Sequence, residues 1–446
     1  MVEEHMSIGV TMEQPAPGDV RFDPLPYFLY AFTILVFAIP IFTLFPPIPV
    51  ERSDALRQTH TKLGIHGPRK SNLAAQFHPS AHKARPGTPG RIQSLHVYPV
   101  KSCRGVELAR SRVVPTGLEF DRIYTFAQRR SNAHDGDAWE FATQRQLPRL
   151  ANVKVDLWLP DHTKTSRQLG KLSDAFIVVR FPWEDAGVVQ QLAAKISRGL
   201  RGVPEKEFMV PVEFPSKQEV ENRGYTFANV RIWKEITKAL NMGKEIPPQL
   251  ATYLGVKGDL ALFRMDPTNQ REVFRCAPKS DEVGYQPVVD FHDAYPLHLL
   301  SLSSVHDLSS KIQKDEIMTK LDARRFRANI IISGTDAYDE ESWRLLRFHD
   351  ANDKDKQSVF DVSCRTVRCK MPNVDPDTGI RHRTEPDNSL RKYRNVDEGS
   401  PTLGCLGMQM CPIFPDAEKS LLYESFVEVG MQIDVLKRGA HLYIEQ

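Results

Sequence analysis

Cysteine is scarce in this 446-residue sequence: Cys103, Cys276, Cys364, Cys369, Cys405 and Cys411 are its six, and their spacing repeats no disulfide framework. That argues against a stapled secreted scaffold and for a reducing compartment, where a lone thiolate can carry chemistry. Neither sign of charge dominates. Lys and Arg total 59 against 56 Asp and Glu, a net +3, which is too balanced for a nucleic-acid binder, so any cationic site must be local. Also missing are a P-loop, a G-x-G-x-x-G after a strand, an H-E-x-x-H and a G-x-S-x-G elbow, so the commonest nucleotide, zinc-protease and hydrolase signatures fall away. No internal repeat of fixed period and no low-complexity tract occurs. What is present is ordinary: 41% hydrophobic and 26% charged residues, enough to bury a core, on a chain long enough for more than one lobe.

One apolar run stands out. Residues 27–45, YFLYAFTILVFAIPIFTLF, carry no charge, and at about 1.5 Å rise per residue they extend roughly 28 Å, close to a bilayer core. The preceding residues are acidic, with Glu3, Glu4, Glu13, Asp19 and Asp23 against Arg21, which is the wrong flank for a cleaved leader. The following ones are basic, from Arg52 to Arg85. The expectation is an N-terminal tail over 1–26, a retained single membrane helix over 27–45, and a basic, aperiodic tether over 46–90 that leaves the C-terminal part in the cytosol.

From Arg91 short β-rich runs follow one another: RIQSLHVYPV, VELARSRVVP, RIYTFAQRR, ANVKVDLWLP and AFIVVRFP. Helices are predicted over 185–198, over 231–255, where Ile232, Ile236, Leu240, Leu250 and Leu254 recur near helical spacing, and over 304–314. The fold class expected is α+β with barrel-like β architecture: a β-rich lobe over 91–225, a helical connection over 226–259 and a second β-rich domain over 260–446.

Several polar residues sit where strands end: Lys101 and Ser102 in YPVKSCRG, Arg122 in EFDRIYTF, Arg145 in ATQRQLPRL, and Arg327 with Asn329 in RFRANIII. Such groups give charge-assisted hydrogen bonds to a phosphate or a planar heterocycle, so together they suit an anionic cofactor; singly, each reads equally as a structural ion pair. The four late cysteines have a C-x4-C and C-x5-C spacing that fits a zinc knuckle poorly. Cys276, Cys405 and Cys411 read as buried, inert thiols. Cys369 differs. It follows Arg368, a cation that favours the thiolate, and precedes the turn Val374–Gly379, so it is the candidate ligand for a soft metal.

The runs LHVYPVKSCRGVEL, GLEFDR, TQRQLPRL, FHDAYPLHLLSLSS, RFRANIIISG and RCKMPNVDPDTG, in this order, resemble the MOSC (molybdenum cofactor sulfurase C-terminal) family, and more narrowly its membrane-anchored mitochondrial amidoxime-reducing components. The resemblance runs from about Arg91 to the C-terminus, its first lobe resembling the MOSC-associated N-terminal β-barrel. It implies that Cys369 is the catalytic cysteine and binds molybdenum. It further implies that Lys101, Ser102, Arg122, Arg327 and Asn329 hold the pyranopterin and its phosphate, with Arg145 in the same cationic set. Ser301 and Ser303 lie in the stretch that supplies further hydroxyl contacts. Ala328 stands where the family pattern FRPN has proline, and the stretch from about Trp158 to Arg223 is longer than a compact member needs.

The implied activity is a molybdenum-cofactor-dependent reduction of small N-hydroxylated substrates by oxygen-atom removal. No flavin or haem signature is visible, so electrons would come from a partner; the resemblance implies cytochrome b5 and NADH-cytochrome b5 reductase, and the outer mitochondrial membrane as the address. Asp375 or Asp377 could relay protons, although a turn-forming role suits them better. The alternative is a sulfur-transfer or cofactor-binding protein in which Cys369 carries a persulfide. Against it, the chain has no pyridoxal-phosphate lysine domain to supply sulfur.

Overall fold

Alternating burial builds most of this chain. Along Gln357–Val367 the side chains of Ser358, Phe360 and Val362 are buried and those between them face outward, the period-two signature of a strand packed on one side. The computed structural model describes residues 23–44, 52–66, 70–129, 139–164, 174–200, 202–353, 356–415 and 423–444; most of the expected N-terminal tail therefore lies outside the described residues. Two compact units are present, 1–49 with 187–202, and 50–186 with 203–446.

The larger unit is built on two closed sheets. In the first, neighbouring strands run Ile330–Ser333, Leu297–Ser301, Cys405–Ile413, Gln357–Val367, Trp343–His349, Gln432–Arg438, Arg91–Val97 and Val106–Leu108; Ile330–Ser333 also pairs with Arg91–Val97, which closes a ring. Strands from residue 91 onward thus share a sheet with strands from beyond 260. The second is a closed barrel of Thr226–Ile232, Glu235–Asn241, Leu260–Arg264, Tyr124–Arg129 and Trp139–Phe141. A four-stranded sheet of His60–Leu63, Lys154–Pro160, Phe176–Pro182 and Glu205–Pro211 packs through Val155, Leu157, Ile177 and Phe181 into the same core as Phe126 and Leu262. The α+β, β-barrel-rich reading holds.

Three expectations are corrected. The helical connection over 226–259 is a β-hairpin, Thr226–Ile232 with Glu235–Asn241, followed by one short helix, Pro248–Leu254. The spacing of four that suggested a helix is also two strand periods, and burial of Val230, Ile232, Thr237 and Ala239 follows the strand. The described part of the 46–90 tether is not free. Leu56, His60, Leu73, Gln76 and His82 are buried, His60–Leu63 joins the four-stranded sheet, and the Gln76 side chain accepts from the Ala323 amide at 2.9 Å.

The third correction concerns the membrane. The smaller unit has the helices Pro24–Leu44 and Val188–Arg198. The first matches the expected apolar segment, but among the described residues no helix is long and apolar enough to cross a membrane. It carries Pro40, a proline inside the helix that withholds one backbone donor. The predicted helix at 304–314 appears as Leu302–Lys311.

Candidate functional site around Cys369

Strand Arg91–Val97 ends in the turn Tyr98–Cys103, which is sewn to the segment before Tyr124 by backbone bonds. The Lys101 amide donates to the Tyr124 carbonyl at 2.8 Å, and the Arg122 amide to that of Tyr98 at 2.9 Å. A third segment joins when the Phe291 amide donates to the Arg122 carbonyl at 3.1 Å. The strand Gln357–Val367 delivers Arg368 and Cys369 just past its end. The result is a cleft lined by Lys101, Ser102, Arg122, Thr143, Arg145, Trp233, Asp293, Arg327, Cys369 and Met371. Six residues named from sequence, Lys101, Ser102, Arg122, Arg145, Arg327 and Cys369, meet there.

Four lining residues hold left-handed backbone that is uncommon outside glycine: Ser102 (φ 67°), Arg122 (53°), Trp233 (57°) and Arg327 (52°). Strain of this kind collects where surrounding contacts over-determine a functional geometry. The contacts here are numerous. Arg327 Nη1 donates to the Cys103 carbonyl at 2.7 Å, and Arg122 donates to the Arg327 carbonyl and to Asn329 Oδ1, both at 3.2 Å. Tyr98 lies under both guanidinium groups, 4.9 Å from Arg122 and 4.1 Å from Arg327.

Asn329 is buried, so it positions the cleft without lining it. Its amide donates to Asp121 Oδ2 at 2.8 Å, and Asp121 is also ion-paired with Arg122 and bonded by His292 Nε2 at 3.1 Å. Ser301 and Ser303 are not brought in: Ser301 shares a hydrogen bond with Thr335, and Ser303 donates to the His82 carbonyl. Ser301 ends the strand and Ser303 lies in the first turn of the helix that follows, where their hydroxyls meet Thr335 and the His82 carbonyl. Asp375 and Asp377 are engaged elsewhere, in ion pairs with Arg325 and with Arg104 and Arg324.

The sequence reading passed over four of the lining residues, Thr143, Trp233, Asp293 and Met371, and two of these tie the cleft together. Asp293 Oδ1 accepts from Lys101 Nζ at 2.8 Å and from Trp233 Nε1 at 3.0 Å, and the Arg145 guanidinium lies 4.1 Å from the centre of the Trp233 ring. The signal for Asp293 was the HDAYP run itself. Trp233 was hidden by the helical assignment, which gave no reason to place it at a hairpin tip.

Burial lowers the Lys101 ammonium to about 8 against the opposing pull of Asp293, and lowers Arg327 to about 10. It pushes Tyr98 up to about 12. Desolvation at the cleft wall works to raise the half-exposed Asp293, but Lys101 and the two hydrogen bonds hold its carboxyl well below the usual range. Arg327 keeps one guanidinium nitrogen, Nη2, buried and without a hydrogen-bond partner. A cleft with four cations, one unsatisfied buried donor and one thiol fits an anionic, sulfur-ligated cofactor. A larger cavity of about 780 Å³ shares only Arg327 with it.

Residues 89–174 match the MOSC N-terminal beta barrel domain and residues 286–434 the MOSC domain, together just over half of the chain. The chain belongs to the MOSC family. It is 25% identical to mitochondrial amidoxime reducing component 2 of Rattus norvegicus over 73% of its own length and 77% of that protein's. It is 26% identical to mitochondrial amidoxime-reducing component 1 of Homo sapiens over 69% of this chain and 73% of the relative. A molybdenum cofactor sulfurase of Oryza sativa subsp. japonica is 26% identical over 77% of this MOSC chain but 35% of the relative.

Proposed function

We propose that this chain is a molybdenum-cofactor-dependent oxidoreductase that removes oxygen from N-hydroxylated compounds of the amidoxime type. The observation that carries the reading is the convergence of Cys369 with Lys101, Arg122, Arg145 and Arg327 in one cleft, Arg122 and Arg327 on backbone held in left-handed conformation. The names of the relatives agree with it.

In this reading Cys369 supplies the protein's sulfur ligand. When bound, the cofactor supplies two-electron oxygen-atom transfer, so that an amidoxime, two electrons and two protons become an amidine and water. Arg122, Arg145 and Arg327 would hold its anionic part. Asp293 keeps Lys101 aimed across the cleft. Lys101 Nζ, brought by burial to about 8, is positioned to exchange a proton near neutral pH. Electrons are proposed to arrive from cytochrome b5 and NADH-cytochrome b5 reductase, and the proposed location is mitochondrial, after the relatives' names.

A second reading, sulfur transfer through a Cys369 persulfide, is favoured by the rice sulfurase relative. Elemental analysis separates the two. The full chain is the right material, because residues 52–90 pack onto the fold. Purified from a host that makes molybdenum cofactor, it should carry near one molybdenum per chain and reduce a model amidoxime with reduced cytochrome b5. Cys369→Ser should stay folded and lose both properties. Zinc instead of molybdenum, or a folded chain that binds no metal and holds a persulfide on Cys369, overturns the reductase reading.

A further inference from the structure

Away from the cleft, three cysteines and a tyrosine meet behind the strand that leads to Cys369. Cys364 lies on Gln357–Val367 immediately after Ser363, the extra residue at a register shift against Cys405–Ile413. It is fully buried, in an apolar cluster with Val273, Val289, Tyr295 and Cys411. Cys276 packs against this cluster from the segment after the strand Arg271–Glu272 and, contrary to the sequence reading of an inert buried thiol, is only half-buried. Its Sγ donates to the Leu442 carbonyl at 3.3 Å. Cys276, Cys364 and Tyr295 thus share one cluster, in which the Tyr295 hydroxyl is buried without a hydrogen-bond partner. Cys411 is the next sulfur, reached by the Ser363 hydroxyl at 3.6 Å.

We propose that Cys276 and Cys364 form a peroxide-reactive dithiol, with Cys276 as the attacking sulfur and Cys364 as the resolving one. The roles follow from placement. Cys276 has solvent access; Cys364 has none and lies in the cluster that Cys276 packs against. The electrostatics act in the same sense: the Cys364 thiol favours the Cys276 thiolate against the opposing pull of burial, while Cys276 and burial together keep Cys364 a thiol. In the first step the Cys276 thiolate attacks one oxygen of a hydroperoxide. The O–O bond breaks, the leaving oxygen takes a proton to become water or an alcohol, and Cys276 becomes a sulfenic acid, a two-electron oxidation. In the second step Cys364 forms the S–S bond, the S–O bond breaks, and hydroxide leaves with the Cys364 proton as water. A small dithiol returns the pair to its starting state. Oxidation ties the segment around Cys276 to the strand that presents Cys369.

The test uses the full chain and needs no molybdenum. It is treated with stoichiometric hydrogen peroxide, quenched with an alkylating reagent, and read by intact mass and peptide mapping. The expected product has lost two hydrogens and yields one linked peptide pair, Cys276 with Cys364, which a dithiol reverses. Cys276→Ser, at a half-exposed position that tolerates the change, should abolish the link and leave Cys364 alkylated after unfolding. Cys364→Ser should let a sulfenic acid accumulate on Cys276 for trapping by dimedone, and Cys411→Ser should leave the link intact. A Cys364–Cys411 link, or Cys276 oxidised in the wild-type chain with no linked peptide, overturns the proposal.

Discussion

Trp233 occupies left-handed backbone at the tip of a hairpin, where a bulky side chain costs about 1–3 kcal/mol unless something holds it there. Asp293 and Arg145 do so, one through the indole nitrogen and the other across the ring face. Trp233→Gly removes the strain together with the side chain that spans the cleft. Thermal melting of this variant should match or exceed that of the wild-type chain, while amidoxime reduction falls by about tenfold or more. A variant that keeps full activity would show that the indole does not shape the cleft. The cationic members were legible from residue type and position at strand ends. Asp293 and Trp233 were not, because their roles arise only when segments some sixty residues apart are brought to one hydrogen bond.

At the scale of elements, the strand Cys405–Ile413 approaches Leu297–Ser301 so closely that a Cβ on Gly407 would lie 2.4 Å from the Leu299 carbonyl, at a φ of +81°. Gly407→Ala should therefore lower stability by at least about 2 kcal/mol, read as the midpoint of urea unfolding. The helix Leu302–Lys311 and the turn Asp339–Ser342 share a second sensitive contact. Buried Glu340 accepts from Ser304 Oγ at 2.6 Å, and its other oxygen has no partner. Burial raises this carboxyl to about 7, from 4.5 in the unfolded chain, with Glu341 adding to the shift and Arg394 opposing it. Between those values the folded state holds a proton that the unfolded state has lost, so the contribution is full below pH 4.5 and disappears as pH rises through 7. Glu340→Gln should flatten that part of the stability–pH curve, which amounts to about 3 kcal/mol at most. The strands flanking these contacts were readable from alternation. The hairpin at 226–241 was not, because residues four apart satisfy both periods, and only the partners Leu260–Arg264 and Trp139–Phe141 decide between them.

For the molecule as a whole, the two units make different demands. The strands Phe176–Pro182 and Glu205–Pro211 pair along their full length, and the Trp183 amide donates to the Pro204 carbonyl at 2.8 Å, so the chain is already drawn together on either side of residues 187–202. Replacing those residues by a short glycine-containing turn should leave the unfolding temperature of the larger unit unchanged. Deleting 52–90, by contrast, strips buried Leu56, His60, Leu73 and His82 from the fold and should lower it by several degrees; calorimetry on the two variants checks both outcomes. The extra length of the first of these stretches was visible in the sequence. The anchoring of the second was not, because its contacts are scattered single residues without period.

The ring of strands sets an order of events in time. Arg91–Val97 pairs early with Val106–Leu108, but its opposite edge is covered only by Ile330–Ser333, and its start only by Gln432–Arg438 near the end of the chain. On the ribosome that edge stays open while more than two hundred residues are made, and Lys101 and Ser102 wait with it. Cofactor capture by this cleft therefore belongs after translation, and a nascent chain halted before residue 330 should require a chaperone to stay soluble.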